Sequence, residues 1–159
     1  MAEILVTKRD GKKEPLEIDK LHKVVMWACE GITGVSASEV EIKSHLQFYN
    51  GIKTADIQET VIKSAADLIT EDTPNYQHVA GRLISYHIRK DVYAQFEPWH
   101  ITKLINQNIE LGLYDPHLLE DYTEDEWEQI NSYIKHNRDE MLTYVAMEQF
   151  RGKYLVQNR

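Results

Sequence analysis

The spacing of the apolar residues changes once along this chain, near Asp19, and that change limits the fold more than any other feature. Before it, Ile4 to Arg9 reads as a strand. Asp10-Gly11 is a favoured hairpin turn, read with positive φ at both residues, and Lys12 to Ile18 returns as a second strand. Pro15 has no N–H to donate, which places the returning strand at an edge. After Asp19 the apolar residues recur at steps of three and four, the period of helices. The expected class is mainly α, with an N-terminal β-hairpin packed on helices.

Four helical stripes follow. Leu21, Val24, Val25, Ala28 and Cys29 form the first, stopped before Gly31 as C-cap. Ser36 and Glu39 have the spacing of a capping box, with Val35 and Val40 as its hydrophobic staple, and this helix is expected to reach about Phe48, ahead of Asn50-Gly51. Thr54 is placed to cap a third, with Ile57, Val61, Ala65, Leu68 and Ile69 as its buried stripe. After the Thr73-Pro74 break, Val79, Leu83, Tyr86, Lys90 and Tyr93 share a face of the fourth.

Beyond Phe96 the organisation changes. Glu97-Pro98 signals a helix start, Ile101, Leu104, Ile105 and Ile109 form its stripe, and Gly112 ends it. Asp115 to Glu128 holds seven acidic residues and no Lys or Arg, yet Thr123 and Glu126 make a second capping box with Tyr122 and Trp127 as staple. The acidic run therefore reads as a solvated helix start. Helical patterns around Ile130 to Ile134 and Met141 to Gln149 lead to Lys153 to Val156, which reads as a strand without a partner. The expected division is residues 1–95 and a helical region 96–159 that stops in the middle of a fold.

Composition removes several function classes. A chain of 159 residues, 42% hydrophobic and 28% charged, suffices for one domain with a core or a small domain plus an appendage. No run approaches the roughly 20 apolar residues of a membrane span, and the start has no apolar segment of a secretory signal, so the expected location is cytoplasmic, away from membranes. The single cysteine, Cys29, forms no internal disulfide or redox pair, and on its apolar stripe it reads as core. The seven histidines lack metal-site spacing, and no Gly-x-x-x-x-Gly-Lys-Ser/Thr loop is present. No metal ligand is assigned, and the histidines, Trp27 and the tyrosines read as structural or surface residues.

The net charge of −8 divides into −2 over residues 1–95 (12 basic, 14 acidic) and −6 over 96–159 (6 basic, 12 acidic). Lys8, Arg9, Lys12, Lys13 and Lys20 crowd one short stretch. An acidic chain with one small basic cluster lacks the broad cationic face that a nucleic-acid backbone requires. The cluster suits a compact phosphate anion better than a nucleic-acid backbone, and taken by itself it reads first as solvated lysines on a hairpin.

The ordered segments VTKRDG, a return ending in IDK, YNGIKTADIQE and YHIRKDVYAQFEP resemble the ATP-cone domain of class I ribonucleotide reductase large subunits. The similarity continues through LLEDYTEDE to GKYLVQNR, the helical region that adjoins the cone in the bacterial class Ia type, and so covers essentially the whole chain. The resemblance implies a four-helix cone with its hairpin over residues 1–95, followed by the start of the large-subunit body. It implies an allosteric activity site at which ATP activates and deoxyATP inhibits deoxyribonucleotide synthesis.

The implied contact residues are Lys8, the segment Glu14, Pro15, Leu16, Glu17, Ile18, Asp19 and Lys20, with Thr54 and Lys90; Arg9 adds a forked contact. Three lysines from different elements suit a triphosphate, and a carboxylate at Glu14 suits the exocyclic amine of adenine. Thr54 has two readings, helix cap and nucleotide contact. Glu17 departs from the amide or small polar residue expected at related positions and is a lesser member of the segment. Magnesium is expected to accompany the triphosphate on phosphate oxygens and water.

The family's radical cysteine, redox pair and tyrosine relay lie downstream of the matched region, so this segment is expected to be non-catalytic within a parent oxidoreductase. Expected partners are the rest of the large subunit, the small (beta) subunit and further copies in an oligomer. A cone-bearing DNA-binding repressor is disfavoured because the four cysteines of its zinc ribbon are missing; a ligand-free helical interaction module is the better alternative.

Overall fold

The computed structural model describes residues 4–8 and 10–155. In chain order these form strands β1 (Leu5–Thr7) and β2 (Lys13–Pro15) and helices α1 (Ile18–Cys29), α2 (Ala37–His45), α3 (Thr54–Ala66) and α4 (Tyr76–Tyr93). Helices α5 (Ile101–Glu110), α6 (Glu124–Tyr133) and α7 (Tyr144–Gln149) follow, with 3-10 turns at Pro116–Leu119 and His136–Met141. The mainly helical class with its hairpin is as expected. The chain forms two compact units, one of residues up to Ile88 together with those from Asp139 on, the other Arg89–Arg138.

In the first unit, β1 and β2 are antiparallel with Val6 opposite Glu14. The turn differs from expectation. Lys8 N–H donates to the Lys12 carbonyl at 2.8 Å, which sets a three-residue loop in place of the two-residue turn, and Gly11 N–H donates to the Lys8 carbonyl at 3.0 Å with Gly11 at φ +82. Gly11 takes the left-handed conformation, and the Asp10 carboxylate accepts from Lys12 N–H at 3.1 Å. The other edge of β1 is held by residues 50–53: Gly51 N–H donates to Leu5 O at 2.7 Å and Thr7 N–H to Ile52 O at 2.9 Å. That leaves β2, with Pro15, on the outer edge, as its missing donor requires.

The core collects Val6 of β1, Val25 and Ala28 of α1, Val40 of α2, Ile57 and Val61 of α3, Val79 and Ile84 of α4, and Met147 of α7. Four local expectations are corrected. At Ser36 the capping box does not close, because the Tyr76 hydroxyl stands in its place, accepting from Ser36 N–H at 2.9 Å and donating to Glu39 at 2.5 Å. Burial and the Glu39 carboxylate push the Tyr76 phenol up to about 12. Lys53 is the N-cap of α3, so Thr54 is its first helical residue and caps nothing; α3 ends at Ala66, with Leu68 and Ile69 packing from beyond it. Helix α2 ends at His45, short of Phe48.

Residues after Asp139 return to this unit. A Cβ at Gly81 on α4 would lie 2.2 Å from the Leu142 carbonyl, so only glycine admits that backbone so close. Arg82 fixes the same segment, its guanidinium donating to Glu30 O at 2.6 Å and to Glu140 O at 3.3 Å. Phe150–Tyr154 is a π-helical turn, not the start of a strand; Val156 lies outside the described residues.

The second unit is small. Ile105 of α5 and Trp127 of α6 are its buried apolar side chains among the described residues. The expected box at Thr123 closes fully, with Thr123 N–H donating to Glu126 at 2.8 Å, and Tyr122 lies against Trp127 at 5.1 Å. Helix α5 starts at Ile101, later than Glu97-Pro98 indicates, with the His100 ring as its cap, and Gly112 ends it at φ +71. Ile130 to Ile134 is the end of α6 and not a further helix.

Candidate functional site

The hairpin and the starts of α1 and α3 bring most of the expected contact residues together. Thr7 bridges to Lys53 in parallel fashion, so the end of β1 abuts the N-terminus of α3. Lys8 is the next residue after that bridge, and Thr54 begins α3 directly beyond it. On the other side of β1, Glu14 sits in β2, and only Leu16 and Glu17 separate β2 from α1. The geometry follows from short connections on both flanks of one central strand.

The charges of this patch are paired. Lys8 Nζ lies 3.0 Å from Glu14 and Lys20 Nζ 2.8 Å from Glu17. The Lys20 hydrogen bond, with the field of Lys8, holds the Glu17 carboxyl below its ordinary value and the Glu17 partner raises Lys20. Glu14 acts on Lys20 as well, so two ammoniums and two carboxylates form one mutually interacting group. All four are partly or largely exposed, and such pairs contribute little stability. They are arranged to exchange partners at low cost.

The remaining expected residues fall as follows. Pro15 is exposed on the edge strand, Leu16 packs against the core, Ile18 is 54% exposed, and Asp19 stands in the first turn of α1. Arg9 lies outside the described residues. Lys90 is in the last turns of α4, in the part that belongs to the second unit, with its Nζ 3.5 Å from the Ala94 carbonyl.

One neighbour of the patch is not among the contacts read from the sequence, and the lone cysteine lies at the far end of α1. Tyr86 of α4 interacts electrostatically with Lys20, and burial raises its phenol; its ring lies 6.3 Å from that of Trp27. The available signal was its position four residues before Lys90 on one helical face. Cys29, half-buried, has its thiol pushed up to about 11 by burial, which suits packing and not nucleophilic chemistry. Among the described residues no group of three or more His, Cys, Asp or Glu is arranged to hold a metal, and no helix is long and apolar enough to cross a membrane.

Comparison with known families decides the assignment: residues 4–91 match the ATP cone domain. The chain belongs to the ATP-cone family. It is 55% identical over 156 residues to the Salmonella typhimurium protein named ribonucleoside-diphosphate reductase 1 subunit alpha, and 54% to the Escherichia coli protein of that name. The ribonucleoside-diphosphate reductase subunit alpha of Enterobacteria phage T4 is 40% identical over 158 residues. Each match covers 98% of this chain, which spans about one fifth of the length of these relatives (20–21%). The cone of this chain thus corresponds to the amino-terminal region of class Ia alpha subunits, and its hairpin patch falls inside the matched domain.

Proposed function

We propose that this chain is the overall-activity regulator of a ribonucleoside-diphosphate reductase, binding ATP to activate and deoxyATP to inhibit, with no catalytic residue of its own. The observation that carries this reading is the Lys8, Glu14, Glu17, Lys20 group beside the first residue of α3, within a matched ATP cone. Phosphate oxygens would exchange with the two carboxylates for Lys8 and Lys20, with Lys90, Arg9 and Thr54 completing the contacts. Glu14, once released from Lys8, is an acceptor suited to the adenine amine, and backbone groups of residues 15–18 supply further contacts. Asp19 sits at the same helix start. Magnesium would enter on the triphosphate and water.

The nucleotide-binding part is residues 1–95 and the body of the large subunit begins at 96–159. The partners are the rest of that subunit, the small subunit and further copies. ATP and deoxyATP differ by one hydroxyl, so a switch between them needs amplification, and association of several cones supplies it. DeoxyATP therefore enlarges the assembly, with cone helices facing another subunit; Ile42 and Leu46 on and after α2 are apolar and 65% and 85% exposed, as such a face requires.

Titration calorimetry tests the binding. Micromolar affinity for ATP and deoxyATP, about −8 kcal/mol, with GTP weaker, is expected. Lys8→Ala and Lys90→Ala should each weaken both adenine nucleotides, while Lys12→Ala, at the turn, leaves them unchanged. Equal small effects of all three would reduce the patch to a solvated face. Sedimentation of full large and small subunits with each nucleotide tests the association.

A further inference from the structure

Away from the hairpin patch, a second charged group ties α3 and α4 to the segment that returns after Asp139. The Arg151 guanidinium forks onto the Glu59 carboxylate of α3 through both nitrogens and reaches Glu148 of α7 at 2.6 Å. Glu59 also lies 3.3 Å from Nε2 of His87, a buried ring on α4 whose Nδ1 meets Gln58 at 2.7 Å. Gln58 and Glu59 are therefore both engaged, one turn into the helix that begins at Thr54. Beneath the Arg151 fork is a cleft of about 520 Å³ whose lining includes Gln47, Lys63, Tyr144 and Glu148. The fork closes one side of that cleft, while Met147 of α7 packs into the core beside it, so the charged bridge adds to an apolar anchor.

We propose that Arg151 is a positioning residue, coupling nucleotide occupancy at the start of α3 to the docking of α7 through Glu59, His87 and Gln58. A nucleotide that pins the first turn of α3 fixes Gln58 and Glu59, which lie one turn on in a rigid helix. Fixed Glu59 is a better partner for Arg151, and α7 opens less often. By linkage, loosening α7 must weaken the nucleotide by the same factor. The returning segment then reports the state of the cone to the chain that follows it. This inference rests on the reading of α3's start as nucleotide-facing.

Hydrogen exchange of the whole chain, with and without saturating ATP, tests it alongside calorimetry. In the unsubstituted protein ATP should slow exchange of the amides of residues 144–151 by about threefold, the scale of one partly exposed ion pair. Arg151→Ala and Glu59→Gln should still bind ATP, about threefold more weakly, and lose that slowing; Arg151→Lys, which keeps charge without the fork, should regain part of it. Glu148→Gln alters only a contact within the returning segment and should retain the ATP effect. If Glu148→Gln abolished it as completely as Arg151→Ala, Arg151 would be merely structural. ATP binding without any change at residues 144–151 overturns the coupling alone, whereas absence of ATP binding overturns the nucleotide reading as well.

Discussion

The two compact units obey the same local rules but are held together differently. The unit built on the hairpin and α1–α4 has a continuous core in which Val25, Ala28, Val40, Val79 and Ile84 are fully shielded. Residues 89–138 shield Ile105 and Trp127, while Leu111, Tyr133 and Ile134 stay exposed. Their order comes from caps and near-neighbour contacts: the Thr123 box, the His100 cap, Ile101 N–H on Asn131 at 3.0 Å, and Lys103 over Trp99 at 4.0 Å. A helix can be well started by local hydrogen bonds without being strongly anchored, because each such bond contributes only about 1 kcal/mol. Burial anchors the first unit, and capping shapes the second.

The largest test of that contrast is a pair of truncations. Ile84→Ala is expected to cost about 3–4 kcal/mol and Ile105→Ala about 2 kcal/mol or below, because the second site has few buried neighbours to leave a cavity against. Denaturation followed by unit-resolved hydrogen exchange measures both, and equal costs would break the comparison. Tyr76→Phe comes next, at about 1–2 kcal/mol, since it leaves the half-buried Ser36 N–H and the exposed Glu39 without their shared hydroxyl. A loss below a few tenths of a kcal/mol would mean water replaces the hydroxyl freely.

The smallest effect concerns the second unit. Thr123→Ala should remove about 1 kcal/mol of helix stability and fray α6 without disturbing the first unit. Hydrogen bonding from Thr123 holds the Glu126 carboxyl below its ordinary 4.5. A depressed folded-state value means this contribution is complete above the unfolded value and is lost as pH falls through the folded one. Amide spectra of residues 123–127 should therefore show fraying only on acidification below 4.5, and fraying that begins near neutrality would contradict the assignment.

Much of this was legible in the residues, and the exceptions share a cause. The Thr123 and Ser36 boxes have identical spacing, yet only the first closes; at Ser36 a tyrosine forty residues away competes for both partners. Gly11 was recognisable as a turn glycine, but the loop length set by Lys8 N–H on the Lys12 carbonyl depends on strand register, which the dipeptide does not specify. Lys153 to Leu155 have strand-like composition, but the turn they complete is tied down by Arg151 on Glu59 and Glu148, so tertiary contacts override propensity. At the hairpin patch, Lys8, Glu14 and Lys20 were visible as charged residues, while their mutual pairing depended on strand register and the short entry into α1.

The Tyr76 hydroxyl also bears on the order of folding. Helix α2 has nine residues and no side-chain cap of its own, too short to persist alone in water. Its missing cap arrives with the first turn of α4, after a loop from Ser36 to Tyr76 has closed. The entropy of closing that loop is spent before α2 is secured, so α2 and α4 should appear in one cooperative step while the hairpin, made of neighbours in sequence, forms ahead of them.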